Sequence, residues 1–395
     1  MKNRYLYVTL LALLALSTQA QNQTGAKPRL VVNITIDQLR NGYPALFDDG
    51  YVCEQGFYPY RQIDLSSAIS SVMTGTSPFY HTITADKWLD RNTLQTVAAT
   101  ANDIAVSTLS DELKLATKGV GKVGSVAADQ VTAELAAGHQ MDCVAWNEED
   151  KKNWNAINLT DKALQLLIQE KLGRDTIPDL LYLTYGAKDS NKSDDPSLNQ
   201  ALIKLVCEIE RLVGFRRTLY VLTSTGYTEE NTDEYAKYNI PTGVFYTNRT
   251  ANLLNMYLGA LWGQGQYIEG SYRNQLYLNR RLFEQKRISL TDATVKSKEF
   301  LLQMSGVKRV DIHLFEPHIG DLVVELNPGW QMQNDDTHEQ TPVKKSLAYF
   351  PIIFYGANIP AERVQTPVSI ERIAPTIAKA IRIRAPNACV ATPIF

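Results

Sequence analysis

The chain has 395 residues, 44% of them hydrophobic, enough to bury the core of one large domain with an insertion or of two smaller domains. Its 40 Lys and Arg against 42 Asp and Glu leave a formal charge of −2. That near balance gives no electrostatic case for nucleic acid or for an anionic membrane surface.

In chain order, Lys2 and Arg4 precede an apolar run from Tyr5 to Leu16, and Thr18-Gln19-Ala20 follows with small residues. This reads as a secretory signal peptide, residues 1–20, cut before Gln21; an uncleaved anchor is the alternative. Cleavage would remove Lys2 and Arg4 and move the formal charge from −2 to −4. No later apolar run reaches spanning length, so no membrane span is expected in the mature chain. Leu30–Ile36 is a near-continuous apolar run ending at Asp37, the pattern of a strand buried on both faces. Leu180–Tyr185, Leu219–Thr223, Leu322–Leu326 and Pro351–Tyr355 read alike. Between them, Asp161–Lys171, Pro196–Leu212, Leu290–Met304 and Ser369–Ile381 carry helical periodicity, with Leu290-Thr291-Asp292 and Ser369 as cap signals.

This alternation predicts an α/β fold: a mostly parallel central sheet with helices on both faces. Stretches 85–160 and 235–290 are richer in Asn, Tyr and Gly, and are expected to be cap insertions on a single domain of residues 21–395. Asp37, Asp189 and Ser224 stand at or just past strand ends, where open α/β sheets gather their chemistry. Cys53, Cys143, Cys207 and Cys389 lack metal-knuckle spacing; free thiols and any of three disulfide pairings stay open.

Val31 to Arg40 resembles the first strand and metal-binding aspartate of the type I phosphodiesterase/nucleotide pyrophosphatase branch of the alkaline phosphatase superfamily. Thr74-Gly75-Thr76-Ser77-Pro78, His81 and Trp88-Leu89-Asp90-Arg91 resemble the segment after its nucleophile. Asp111-Glu112-Leu113-Lys114, Ala137-Gly138-His139, Pro178-Asp179-Leu180-Leu181, Gly320-Asp321-Leu322-Val323 and Ile373-Ala374-Pro375-Thr376 follow in order. The likeness is greatest to the bacterial periplasmic enzymes with a threonine nucleophile. It implies a periplasmic protein and a site of two zinc ions, a Thr or Ser nucleophile and cationic groups for phosphoryl oxygens. Fold does not carry function, so each position has to be weighed.

Asp37 and Asp189 match two carboxylate ligands, and His338 matches a late histidine ligand. Their ordinary readings are a helix cap, a solvated loop carboxylate and a surface histidine. The nucleophile position falls on Leu65, which has no hydroxyl. Ser66 and Ser67 beside it are rival nucleophiles, or residues capping the next helix. Ser193 stands for a histidine ligand, and Ser224-Thr225 for an Asp-His pair; neutral hydroxyls are poor zinc ligands. The five histidines (His81, His139, His313, His318, His338) leave the middle of the chain without imidazole. No Lys or Arg lies between Lys122 and Lys151, where the resemblance puts phosphate-binding cations, and Asp129 and Asp86 add negative charge.

The expectation is an exported pseudoenzyme acting in binding or scaffolding, with no cofactor or at most one weakly held divalent metal. Its partner is an unidentified protein or small molecule, met at a former cleft lined by Leu65, Tyr185, Tyr227 and Trp88. The alternative is a metal-dependent phosphomonoesterase or phosphodiesterase using Ser66 or Ser67. A third, lectin-like reading requires exposed aromatics near Tyr267–Tyr277.

Overall fold

The structure, a computed structural model, describes residues 27–39, 43–61, 63–146, 155–186, 196–229, 235, 237–314, 316–346 and 349–395. Its main sheet has nine strands. Across it run Glu362–Val364, Tyr51–Phe57, Phe350–Gly356, Thr218–Ser224, Leu30–Ile36, Asp179–Tyr185, Val123–Val126 and Cys143–Ala145, and Val368–Ser369 also pairs with Tyr51–Phe57. Phe350–Gly356 alone runs against its neighbours, so the sheet is mostly parallel.

The β-branched run Leu30–Ile36 is buried at all seven positions because both its faces are covered. Val31 joins Leu180, Leu219 and Val221 in one core, under the helices Leu65–Thr74, Gln130–Ala137 and Ile373–Ile381. Leu30, Val32, Ile34 and Ile36 join the opposite core, under Ala156–Glu170 and Pro196–Leu212. Asn33, Tyr182 and Ser125 lie side by side across three strands in that first core. None of their side-chain polar atoms has a hydrogen-bond partner among the described residues.

Three expectations need correction. Leu322–Leu326 is not in the main sheet. It lies in a four-stranded antiparallel sheet with Ile268–Tyr272, Gln275–Leu278 and Val307–Ile312, over a third core with Leu254, Leu258 and Leu301. Four of its five residues are apolar and buried, Glu325 being the exception, and that run imitates a strand of the parallel sheet. Within 85–160, Lys87–Leu89 and Thr96–Ala98 form a separate ribbon, but Val123–Val126 and Cys143–Ala145 belong to the main sheet. The cap of the Leu290–Leu301 helix is Ser289, whose hydroxyl accepts from Asp292 N–H, one residue before the predicted signal. The four cysteines are free thiols.

A buried ion cluster ties the ribbon to the second lobe. Asp321, fully buried, accepts from Arg91 at 2.7 Å, from Arg280 at 2.6 and 3.0 Å, and from Leu278 N–H at 2.7 Å. Arg91 also reaches Glu269 at 2.6 Å.

Candidate functional site

The ends of Leu30–Ile36 and Thr218–Ser224 lie in register, Ile36 opposite Ser224, so the residues that follow each strand meet. Thr225 Oγ1 donates to Asp37 Oδ1 at 2.8 Å and accepts from Gln38 N–H at 2.8 Å. Ser224 Oγ donates to the Leu39 carbonyl at 2.9 Å and accepts from Gly226 N–H. The hydroxyls at the positions expected of ligands therefore lock the two strand ends together. Asp37 is not the N-cap of any described helix. It is buried, and burial pushes its pKa above the usual carboxylate range, while hydrogen bonds from Thr225 and Tyr227 and the charge of Lys344 pull the other way. Tyr227 is pushed up by burial and by the Asp37 charge, so its phenol stays protonated and donates.

The second half of the site is the start of helix Leu65–Thr74. Asp64, not Ser66 or Ser67, is its N-cap: Oδ1 accepts from Ser66 N–H at 3.2 Å. Ser67 completes a capping box, accepting from Asp64 N–H and donating to the Asp64 carbonyl, both at 2.9 Å. Both serines are buried in the first turn. The sequence suggested a serine cap because Asp, Ser and Ser all suit helix starts; the structure selects the aspartate.

Lys344 joins the halves, and no expectation from the sequence included it. The short strand Lys344–Ser346 pairs antiparallel with Tyr227–Glu229, with Lys344 opposite Glu229 and Ser346 opposite Tyr227. That register makes Lys344 a diagonal neighbour of Tyr227 on the same face. Its ammonium lies over the Tyr227 ring, 4.6 Å from the centroid, and pairs with Asp64 Oδ2 at 2.5 Å. Burial works against the Asp64 charge, but Lys344 outweighs it and holds the pKa below the usual range. Arg273, pairing with Asp86 at 2.6 Å, also acts on Asp64.

Other expected residues fall elsewhere. Asp189 and Ser193 lie outside the described residues. His338 is exposed on the turn between Trp330–Gln333 and Gln340–Thr341, its backbone left-handed. Leu65 is half-buried against the first core. Tyr185 belongs to the opposite core, its hydroxyl bonded to Thr160, and Trp88 is buried and stacked on His318, so neither lines a cleft. Asp129 caps the Gln130–Ala137 helix by accepting from Thr132 N–H, and the charge of Asp86 is matched by Arg273. Tyr267 and Tyr277 are buried, which removes the exposed aromatics the lectin-like reading required.

Two zinc ions of the kind the resemblance implies need several carboxylates and imidazoles. Here the described residues bring together two carboxylates, a threonine hydroxyl, a phenol and an ammonium. No group of three His, Cys, Asp or Glu able to hold a metal occurs among the described residues. These described residues lack the imidazoles that two zinc ions need; Asp189 and Ser193 are not among them.

A mostly parallel sheet with helices on both faces and polar residues at its strand ends defines an open α/β protein with its candidate site at the strand ends. No model of a known protein family matches the sequence. The sequence is 27% identical to alkaline phosphatase PhoV of Synechococcus elongatus, covering 38% of this chain and 35% of that protein. It is 24% identical to alkaline phosphatase PafA of Elizabethkingia meningoseptica, over 31% and 28% of the two chains. By sequence, the chain spans about a third of the length of the curated relatives it matches. In three dimensions the likeness is longer. The crystal structure of wild-type PafA superposes with a TM-score of 0.78 at 17% identity, covering 93% of this chain and 98% of that one. Murine ectonucleotide pyrophosphatase/phosphodiesterase 5 superposes with a TM-score of 0.61 at 11% identity, over 90% and 95%. Together these show a sequence likeness to alkaline phosphatases over about a third of the chain and the fold of PafA over nearly all of it.

Proposed function

We propose that the chain is an exported, periplasmic member of the alkaline phosphatase superfamily without phosphatase turnover, serving in binding or scaffolding. The observation that carries the reading is the helix start at residue 65. Covalent phosphoryl transfer needs an activated hydroxyl there, and the position is Leu65. Of the two serines beside it, Ser67 has its hydroxyl committed to the backbone N–H and carbonyl of Asp64. Asp37 is bonded to Thr225 and Tyr227. The basic start, apolar run and Ala20 support export, and no helix among the described residues is long and apolar enough to cross a membrane.

Purified mature protein, assayed with an aryl phosphate alongside elemental analysis, tests this. The expected outcome is turnover no faster than buffer and no stoichiometric zinc. Zinc near two per chain, or turnover abolished by Asp37→Asn or Ser66→Ala, overturns the proposal in favour of a metal-dependent esterase.

A further inference from the structure

We infer that Lys344 is this chain's resident substitute for a divalent cation: its ammonium supplies the positive charge that the strand-end carboxylate Asp37 and the helix-capping carboxylate Asp64 require, and the lysine and a metal ion exclude one another. The inference concerns how the site is stabilised, and it stands or falls separately from the absence of turnover.

Asp37 and Asp64 are both largely out of solvent, and each disfavours the charge of the other. Buried carboxylates without a counter-ion are strongly destabilising. Among the described residues, the groups facing them include Thr225, Tyr227, Lys344, Glu229 across the strand pair from Lys344, and Arg273 from the hairpin. Arg273 already serves Asp86 through two hydrogen bonds, so its charge is shared. Lys344, among the described residues, makes its one ion pair with Asp64, and it acts on Asp37 from above the phenol that donates to Asp37.

Its position is set by structure and not by a flexible reach. The antiparallel register fixes Lys344 diagonal to Tyr227, and the ammonium rests on the ring face. A divalent ion between the same carboxylates would sit against this ammonium and be repelled. With the lysine gone, Asp37, Asp64, Thr225 and Tyr227 would form an all-oxygen set. Such a set suits magnesium, calcium or manganese better than zinc.

The test compares the mature wild-type protein with Lys344→Gln, Lys344→Arg and the Lys344→Gln/Asp64→Asn double variant. Each is melted with chelator and then with excess magnesium, calcium or manganese, and bound metal is counted after desalting. Wild type and Lys344→Arg should hold no stoichiometric ion and melt at the same temperature with and without metal. Lys344→Gln should melt a few degrees lower in chelator, recover that loss with at least one of the three ions, and hold up to one ion per chain. The double variant should not be rescued. If Lys344→Gln folds only when one of these ions is present during refolding, the inference is equally supported. Failure of all three ions to restore either its melting temperature or its folded yield overturns it. So does a wild-type protein that binds an ion stoichiometrically with Lys344 in place. Turnover by the wild type would refute the silent-enzyme proposal alone, because this experiment is scored on metal content and melting.

Discussion

His81 is fully buried, and its proton inventory is readable from its partners. Nδ1 accepts from Ile83 N–H at 3.2 Å, which leaves Nε2 to donate to Ser71 Oγ at 2.9 Å. Ser71 in turn meets Tyr60, whose hydroxyl donates to the Ser67 carbonyl. The ring is held neutral, its pKa pushed down by burial from 6.5 to about 3. The unfolded chain takes up a proton that the folded chain refuses, so stability is lost as pH falls below 6.5, by roughly 1.4 kcal/mol per pH unit from this group. His139 works in the opposite sense. Its Nδ1–H donates to Asp111 at 2.8 Å and this raises its pKa, so its contribution is complete below 6.5 and fades as pH rises through the raised value. Urea unfolding between pH 7 and 4 should show an acid limb that His81→Gln flattens; an unchanged limb in that variant refutes the assignment. At this scale the sequence was only partly legible. Asp37 and Thr225 were found because strand-end carboxylates and hydroxyls advertise themselves locally. Lys344 was missed because its role depends on pairing with Tyr227–Glu229, a distant segment, and neither short strand has a period to read.

The elements were legible where one periodicity dominated. The Leu30–Ile36 and Pro196–Leu212 boundaries coincide with the sequence reading, and Asp179–Tyr185 and Thr218–Ser224 extend it by one or two residues. Leu322–Leu326 was assigned to the wrong sheet because a run of apolar residues reports burial on two sides, whatever buries them. The residue just before that strand gives the element-scale prediction. Asp321 is the common acceptor for Arg91 and Arg280, and its removal leaves two guanidinium groups in a partly buried place without their carboxylate. Breaking a buried pair from one side typically costs about 3–5 kcal/mol. Asp321→Ala should lose that much in denaturant unfolding, whereas Lys308→Ala, which removes only a surface pair with Glu325, should lose under about 1 kcal/mol. Equal losses in the two variants would contradict the role given to the cluster.

For the molecule as a whole, α/β alternation fixed the class of fold, since strands buried on both faces require helices on both. The second lobe was harder to foresee, because short antiparallel strands with weak alternation resemble loops. Export makes the whole-chain prediction: the N-terminus of protein recovered from the cell envelope should be Gln21 by mass spectrometry. Intact Met1 in a soluble cytoplasmic pool would count against cleavage. The order of the main sheet also bears on biosynthesis. Phe350–Gly356 lies between Thr218–Ser224 and Tyr51–Phe57, so two early strands wait for a late one before they become part of a continuous sheet. Until residues 350–369 emerge, Tyr51–Phe57 has neither neighbour and Thr218–Ser224 has one open border, and each open border can recruit a stray partner. A ribosome stalled before residue 350 would therefore release a fragment prone to clump, and the complete polypeptide needs shielding until its last quarter has been made.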